Sequence, residues 1–138
     1  MGLCLYVLSA VATDDDDPEE LGECDVGHYS DFECFRDTIA AKLDARRFPT
    51  LMEHSDCDGE WLLADIPTLE RELKEIADHF KRLPPEEPKD AFEHAAEYRV
   101  NAKSLYDCFH DVGGDNLFEE LLSLCKVARE NGRPITFM

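Results

Sequence analysis

The chain is short of positive charge. Fourteen Lys and Arg stand against 32 Asp and Glu in 138 residues, for a formal net charge of −18. Such a field repels nucleic acid and anionic membranes, so neither is an expected partner. Long apolar runs are also missing. No stretch approaches the ~20 residues that a membrane helix needs. Leu3 to Ala12 is mostly apolar and Ala10-Val11-Ala12 resembles a signal-peptidase site, but no Lys or Arg precedes it. A secretion signal requires that basic start, so Leu3–Leu8 reads as a buried strand. Position 6 is Tyr, which excludes the N-myristoylation pattern. No Cys-x-x-Cys pair, glycine-rich phosphate loop or Ser-His-Asp pattern is present, and no catalytic signature is complete. Without a signal, the six cysteines (Cys4, Cys24, Cys34, Cys57, Cys108 and Cys125) read as reduced thiols of a cytoplasmic protein rather than a disulfide framework. Cys4, Cys34 and Cys125 fall inside apolar patterns, where a thiol acts as a small hydrophobe.

What is there is acid, unevenly placed. The first 60 residues hold 16 acids and 4 bases, two thirds of the excess. Asp14-Asp15-Asp16-Asp17-Pro18-Glu19-Glu20 is too charged to bury and reads as a solvated loop. Acidity of this kind attracts basic partners and speeds their association. It also serves solubility alone.

The apolar pattern predicts one α+β domain spanning residues 1–138. A small sheet of a few strands, including the N- and C-terminal ones, is covered by three to four helices. Asp25–His28 adds a short strand. Ser30 and Glu33 form a capping box for a first helix with Phe32, Phe35, Ile39 and Leu43 inward. Residues 48–53 contain a strand. A second helix starts near Asp65-Ile66-Pro67 and buries Leu69, Leu73, Ile76, Ala77, Phe80 and Leu83, with Pro84-Pro85 ending it. Asp90 and Glu93 cap a short helix. Residues 104–109 are strand or helical turn. Asp115 caps a final helix that Gly132 stops in a left-handed conformation. Pro134–Met138 is the closing strand, and the first and last strands pair in the centre.

The chemistry concentrates in His54-Ser55-Asp56-Cys57-Asp58-Gly59-Glu60-Trp61. Gly59 marks a tight turn with an acidic rim and the only Trp of the chain. Asp56 and Asp58-Gly59 match part of an EF-hand loop, but His54 and Asp65 stand where oxygen donors of other kinds belong. His54-x-x-Cys57 and Cys108-x-His110 offer zinc donors without the usual paired spacing. Cys57 lies between two aspartates, which raise a thiol's pKa and oppose a nucleophilic role. Asp56, Asp58 and Glu60 have acid–base capacity in principle. No cofactor is called for. Trp61 is a core anchor or a half-exposed contact, and Tyr29 is a staple beside the first helix or a contact.

Several stretches carry a resemblance to a known family. Gly27-His28-Tyr29-Ser30-Asp31-Phe32, Phe48-Pro49-Thr50-Leu51, the His54–Trp61 run, Leu83-Pro84-Pro85, Ser104-Leu105-Tyr106-Asp107 and Gly132-Arg133-Pro134-Ile135 together resemble immunity protein 70, a family of bacterial polymorphic toxin systems. The resemblance implies a small cytoplasmic, non-enzymatic protein that binds and neutralises a cognate toxin, and it brings no catalytic residues. A toxin that degrades nucleic acid has a basic cleft, which an acidic protein can fill by mimicking phosphate. The expected contacts are Asp56, Asp58, Glu60 and Trp61, helped by Asp14, Asp15, Asp16 and Asp17 and by Tyr29. Two other classes stay open: a metal-dependent or cysteine/carboxylate hydrolase built on the His54–Glu60 loop, and an acidic regulatory module for another basic protein.

Overall fold

The computed structural model describes residues 2–11, 16–55, 58–86 and 100–138. Four strands form one antiparallel sheet in the order β2-β1-β4-β3: β1 Gly2–Leu8, β2 Glu20–His28, β3 Glu60–Trp61 and β4 Ile135–Phe137. The first and last strands are paired at its centre, and the fold is α+β as the sequence pattern implies. Four helices accompany the sheet: α1 Tyr29–Lys42, the single turn α2 Pro49–Met52, α3 Ile66–Phe80 and α4 Leu117–Asn131.

Alternation along β1 sets the two faces of the sheet. Leu3, Leu5 and Val7 are buried, while Cys4, Tyr6 and Leu8 are half-buried on the other side. On the inner face α1 packs against β1 and β2, and α4 packs against β1, β2 and β4. Gly22 permits the close approach of α4: a Cβ there would meet Leu124 Cδ1 at 3.0 Å. The third helix docks on α4 and α2. Its buried positions Ile66, Leu69, Leu73, Ile76 and Phe80 follow the 3.6-residue period. Phe35 sits where these layers meet, 5.2 Å from both Phe109 and Phe118.

Four local expectations are corrected. The box that starts α1 is displaced: the Asp31 carboxylate accepts from the His28 backbone N–H at 2.7 Å, and the helix begins at Tyr29 rather than after Ser30. A shorter acid at the third helical position reaches back as Glu33 was expected to do. The second strand is longer than Asp25–His28 and starts within the acidic run, because a strand with one solvated face accommodates charge. Residues 49–52 are helical rather than extended, for the non-local reason given below. The cap of α4 is Asn116, whose Oδ1 accepts from Glu119 N–H at 3.2 Å; the Asp115 N–H is instead held by Asp111 Oδ1 at 2.9 Å. Residues 105–108 form a 3-10 turn, and Gly132 ends α4 with φ 63°. The short helix expected around Asp90 and Glu93 lies outside the described residues.

Asn116 also donates from Nδ2 to the Tyr106 carbonyl at 3.0 Å. Replacing it by Ala should therefore cost about 1–2 kcal/mol, whereas Asp115→Ala should stay within about 0.5 kcal/mol. Urea unfolding of the two variants measures the difference.

Candidate functional site

The acidic turn is held from below by α2, which is itself clamped at both ends. Its N-terminal amides are capped from α3: Glu72 accepts from Thr50 N–H at 3.3 Å and from Leu51 N–H at 3.0 Å. Its C-terminal carbonyls are capped from α1: Arg36 Nη1 donates to Leu51 O at 3.3 Å, Met52 O at 3.4 Å and His54 O at 2.5 Å. An acid at the positive end and a base at the negative end match the helix dipole. The Arg36 guanidinium also lies over the Phe32 ring, 4.7 Å from its centre.

Trp61 is part of this base. It is 2% exposed, and its indole N–H donates to the Thr50 carbonyl at 2.9 Å. Phe137 meets it edge-on at 4.7 Å, and His54 stacks on Phe137 at 4.2 Å. Both His54 ring nitrogens face carbonyls, Nδ1 that of Ser55 and Nε2 that of Glu60, each at 2.8 Å. The imidazole thus closes the turn on itself. Gly59 has φ 86°, which a side chain would resist, and its Cα side faces the His54 ring. Ser55 Oγ donates to Asp58 Oδ1 at 2.8 Å.

The contact residues expected from the sequence divide accordingly. Asp58 and Glu60 are exposed on the turn. Trp61 is corrected from a contact to a core anchor, because the chain alternates there and Trp61 is the inward residue of β3. Tyr29 is the half-buried first residue of α1 and packs on the core. Asp16 and Asp17 are exposed in the β1–β2 connection, whose base is closed by Ser9 N–H to Glu19 O and Glu19 N–H to Ser9 Oγ, both 2.8 Å. Asp14, Asp15, Asp56 and Cys57 lie outside the described residues.

The sheet joins the turn to a surface that sequence reasoning missed. Strand registers set Glu23, Tyr6, Thr136 and Glu60 in one row across all four strands, on the face away from the helices. A parallel row contains Asp25, Cys4 and Met138, the last two joined by reciprocal backbone bonds of 3.0 and 2.9 Å. A third pairs Glu20 with Leu8. In these three rows the β2 member is a carboxylate, the outermost row pairs Gly2 with His28, and the four strands contain no Lys or Arg. Arg133, next to β4, donates from Nε to the Leu8 carbonyl at 2.8 Å. The available signal was the Cys-Leu-Tyr-Val-Leu alternation of β1, whose outward half is itself apolar.

Electrostatics on this face are strained by like charge. The Glu23 carboxyl is raised above its usual range, first by its hydrogen bond with Glu20 and then by burial and the charges of Glu20 and Asp25. Tyr6 is pushed up to about 12, chiefly by its hydrogen bond with Cys4. Elsewhere, burial pushes the Cys24 thiol up and the Cys125 thiol to about 12, so both are inert at neutral pH. The described cysteines are Cys4, Cys24, Cys34, Cys108 and Cys125. Of these, Cys24, Cys108 and Cys125 are buried, whereas Cys4 and Cys34 are only half-buried.

Two of the metal donors weighed from the sequence, His54 and Cys108, are otherwise engaged. His54 uses both nitrogens, and Cys108 Sγ lies 3.6 Å from the Ser104 carbonyl. Asp111, Asp115 and Glu120 place carboxylate oxygens within 4.8 Å of one another. Burial, followed by the charges of Asp111 and Asp115, raises Glu120 above its ordinary range.

Among the described residues no helix is long and apolar enough to cross a membrane. No curated protein and no solved structure matches the chain. The family model for immunity protein 70 matches residues 10–137, nearly the whole chain. The chain belongs to the immunity protein 70 family.

Proposed function

We propose that this protein neutralises the cognate toxin of a bacterial polymorphic toxin system by binding it through an acidic surface, in the cytoplasm of the cell that makes both. Family membership supports the immunity role. The observation that carries the acidic surface is the distribution of exposed charge. Glu60 and Asp58 stand at the β3 edge, Glu20 and Glu23 at the β2 edge, and Asp16 and Asp17 on the connection between β1 and β2. The chain has no Lys or Arg before Arg36. A partner with a cationic cleft, such as a nuclease, would be steered to this side and would find carboxylates where it holds phosphates.

Inhibition by occupancy fits the turn better than hydrolysis does. A general base needs a free lone pair, and both His54 nitrogens are directed at carbonyl oxygens. The Asp58 carboxylate already accepts from Ser55.

The test is association kinetics with a cognate toxin domain, sought in the gene immediately upstream. Asp56→Asn, Asp58→Asn and Glu60→Gln together should slow association by roughly 3- to 10-fold at low ionic strength and flatten its salt dependence. An on-rate unchanged at low salt would contradict the acidic-surface reading.

A further inference from the structure

We infer that the open face of the sheet is the docking platform for the toxin, with Tyr6 at its centre and the acidic turn as one edge of its rim. This rests on the reading of the protein as a toxin-binding inhibitor and names the surface that does the binding.

The face has the anatomy of a protein interface, an apolar middle within a polar border. Cys4, Tyr6, Leu8 and Met138, with Pro18 and Glu20, line an open groove of about 400 Å³. Met138 is 59% exposed, and Tyr6 and Leu8 are half-exposed although they occupy the centre of the sheet. Among the described residues no helix covers them; α1 and α4 lie against the inner residues. Tyr6 stands between Glu23 of β2 and Thr136 of β4 in the strand register, at the middle of this face. A half-exposed aromatic in the middle of such a patch is the residue type that dominates binding energy.

Charge decides the occupant. Two copies of this chain meeting through this face by two-fold symmetry would set Glu20, Glu23, Asp25 and Glu60 against carboxylates. Nucleic acid and anionic lipid are repelled in the same way. A protein with Lys or Arg around an apolar contact relieves the crowding of Glu20 and Glu23 instead. The two halves of the platform then act differently: the carboxylates set the rate of encounter and Tyr6 sets the lifetime of the complex.

Surface-immobilised upstream toxin domain, in a catalytically inactive form, is the probe. Tyr6→Ala should weaken binding by about 30-fold or more, almost entirely through faster dissociation. Met138→Lys, at the exposed end of the chain, should weaken it by about 10-fold without touching the inner face. Asp78→Asn, the same +1 charge change as Met138→Lys but on the exposed side of α3, should leave dissociation unchanged. Circular dichroism verifies that each variant is folded. If wild-type protein binds and both Tyr6→Ala and Met138→Lys dissociate at the wild-type rate, the platform is wrong and the inhibitor reading survives. If wild-type protein neither binds nor protects cells from that toxin domain, the inhibitor reading falls and takes the platform with it. A free protein that is a dimer dispersed by Tyr6→Ala would also overturn the assignment to the toxin.

Discussion

Trp61→Ala is expected to lower the unfolding free energy by about 3–5 kcal/mol, the range for deleting a large buried aromatic. The side chain is 2% exposed and is surrounded by Phe32, His54 and Phe137. Its removal opens a cavity and also leaves the Thr50 carbonyl without its donor. Trp61→Phe should keep most of the packing and cost about 1–2 kcal/mol, mainly for that lost hydrogen bond. Because Trp61 is the only Trp in the chain, far-UV circular dichroism rather than fluorescence must follow the urea titration. With a denaturant slope of 1–3 kcal/mol per molar, the Ala variant's midpoint should fall by roughly 2 M. Toxin affinity separates core from contact. Folded Trp61→Phe should bind within about threefold of wild type, since an anchor beneath the turn does not touch the partner.

Glu72→Ala should cost about 2–4 kcal/mol, although it is a single substitution in the middle of a helix. Glu72 is 2% exposed and caps two α2 amides, one of them that of buried Leu51. Alanine removes both acceptors and leaves two donors unpaired, that of Leu51 buried and that of Thr50 half-buried. The consequence should reach the turn, because Thr50 links Glu72 to Trp61: its N–H donates to the Glu72 carboxylate and its C=O accepts from the indole N–H. Native-state Trp61 emission should therefore shift to longer wavelength in Glu72→Ala, and the Leu51 amide should exchange faster with solvent. Glu72→Gln keeps one acceptor oxygen and should lose about half as much stability. Unchanged emission together with wild-type stability would show that the clamp does not hold the turn.

The same clamp explains where the sequence misleads. Phe48–Met52 reads as extended by local composition, and Pro49 even suits the first turn of a helix. What makes the segment helical is capping by Glu72 and Arg36, which are distant in sequence. No local propensity reveals partners 21 and 15 positions away. Long amphipathic segments behave otherwise. The period of α3 and α4 is strong enough that their buried residues were legible directly. For the candidate site, the glycine turn and its acids were legible, but the direction of Trp61 was not. A two-residue strand fixes that direction, and it forms only because β4 is there to pair with Glu60 and Trp61. The outer sheet face was hidden for a related reason. Residues such as Tyr6 and Leu8 count as core candidates by type, and only the layer arrangement shows that α1 and α4 leave their side uncovered.

Hydroxyl-radical footprinting of the free protein and of its complex with the upstream toxin domain tests the docking face most directly. Oxidation of Met138 and Tyr6 should fall by about an order of magnitude on complex formation, as expected for side chains that move from solvent into the buried centre of an interface. Labelling of exposed side chains on the outer side of α3 should not change. Protection confined to α3 and α4, with Met138 and Tyr6 oxidised as fast as in the free protein, would contradict it.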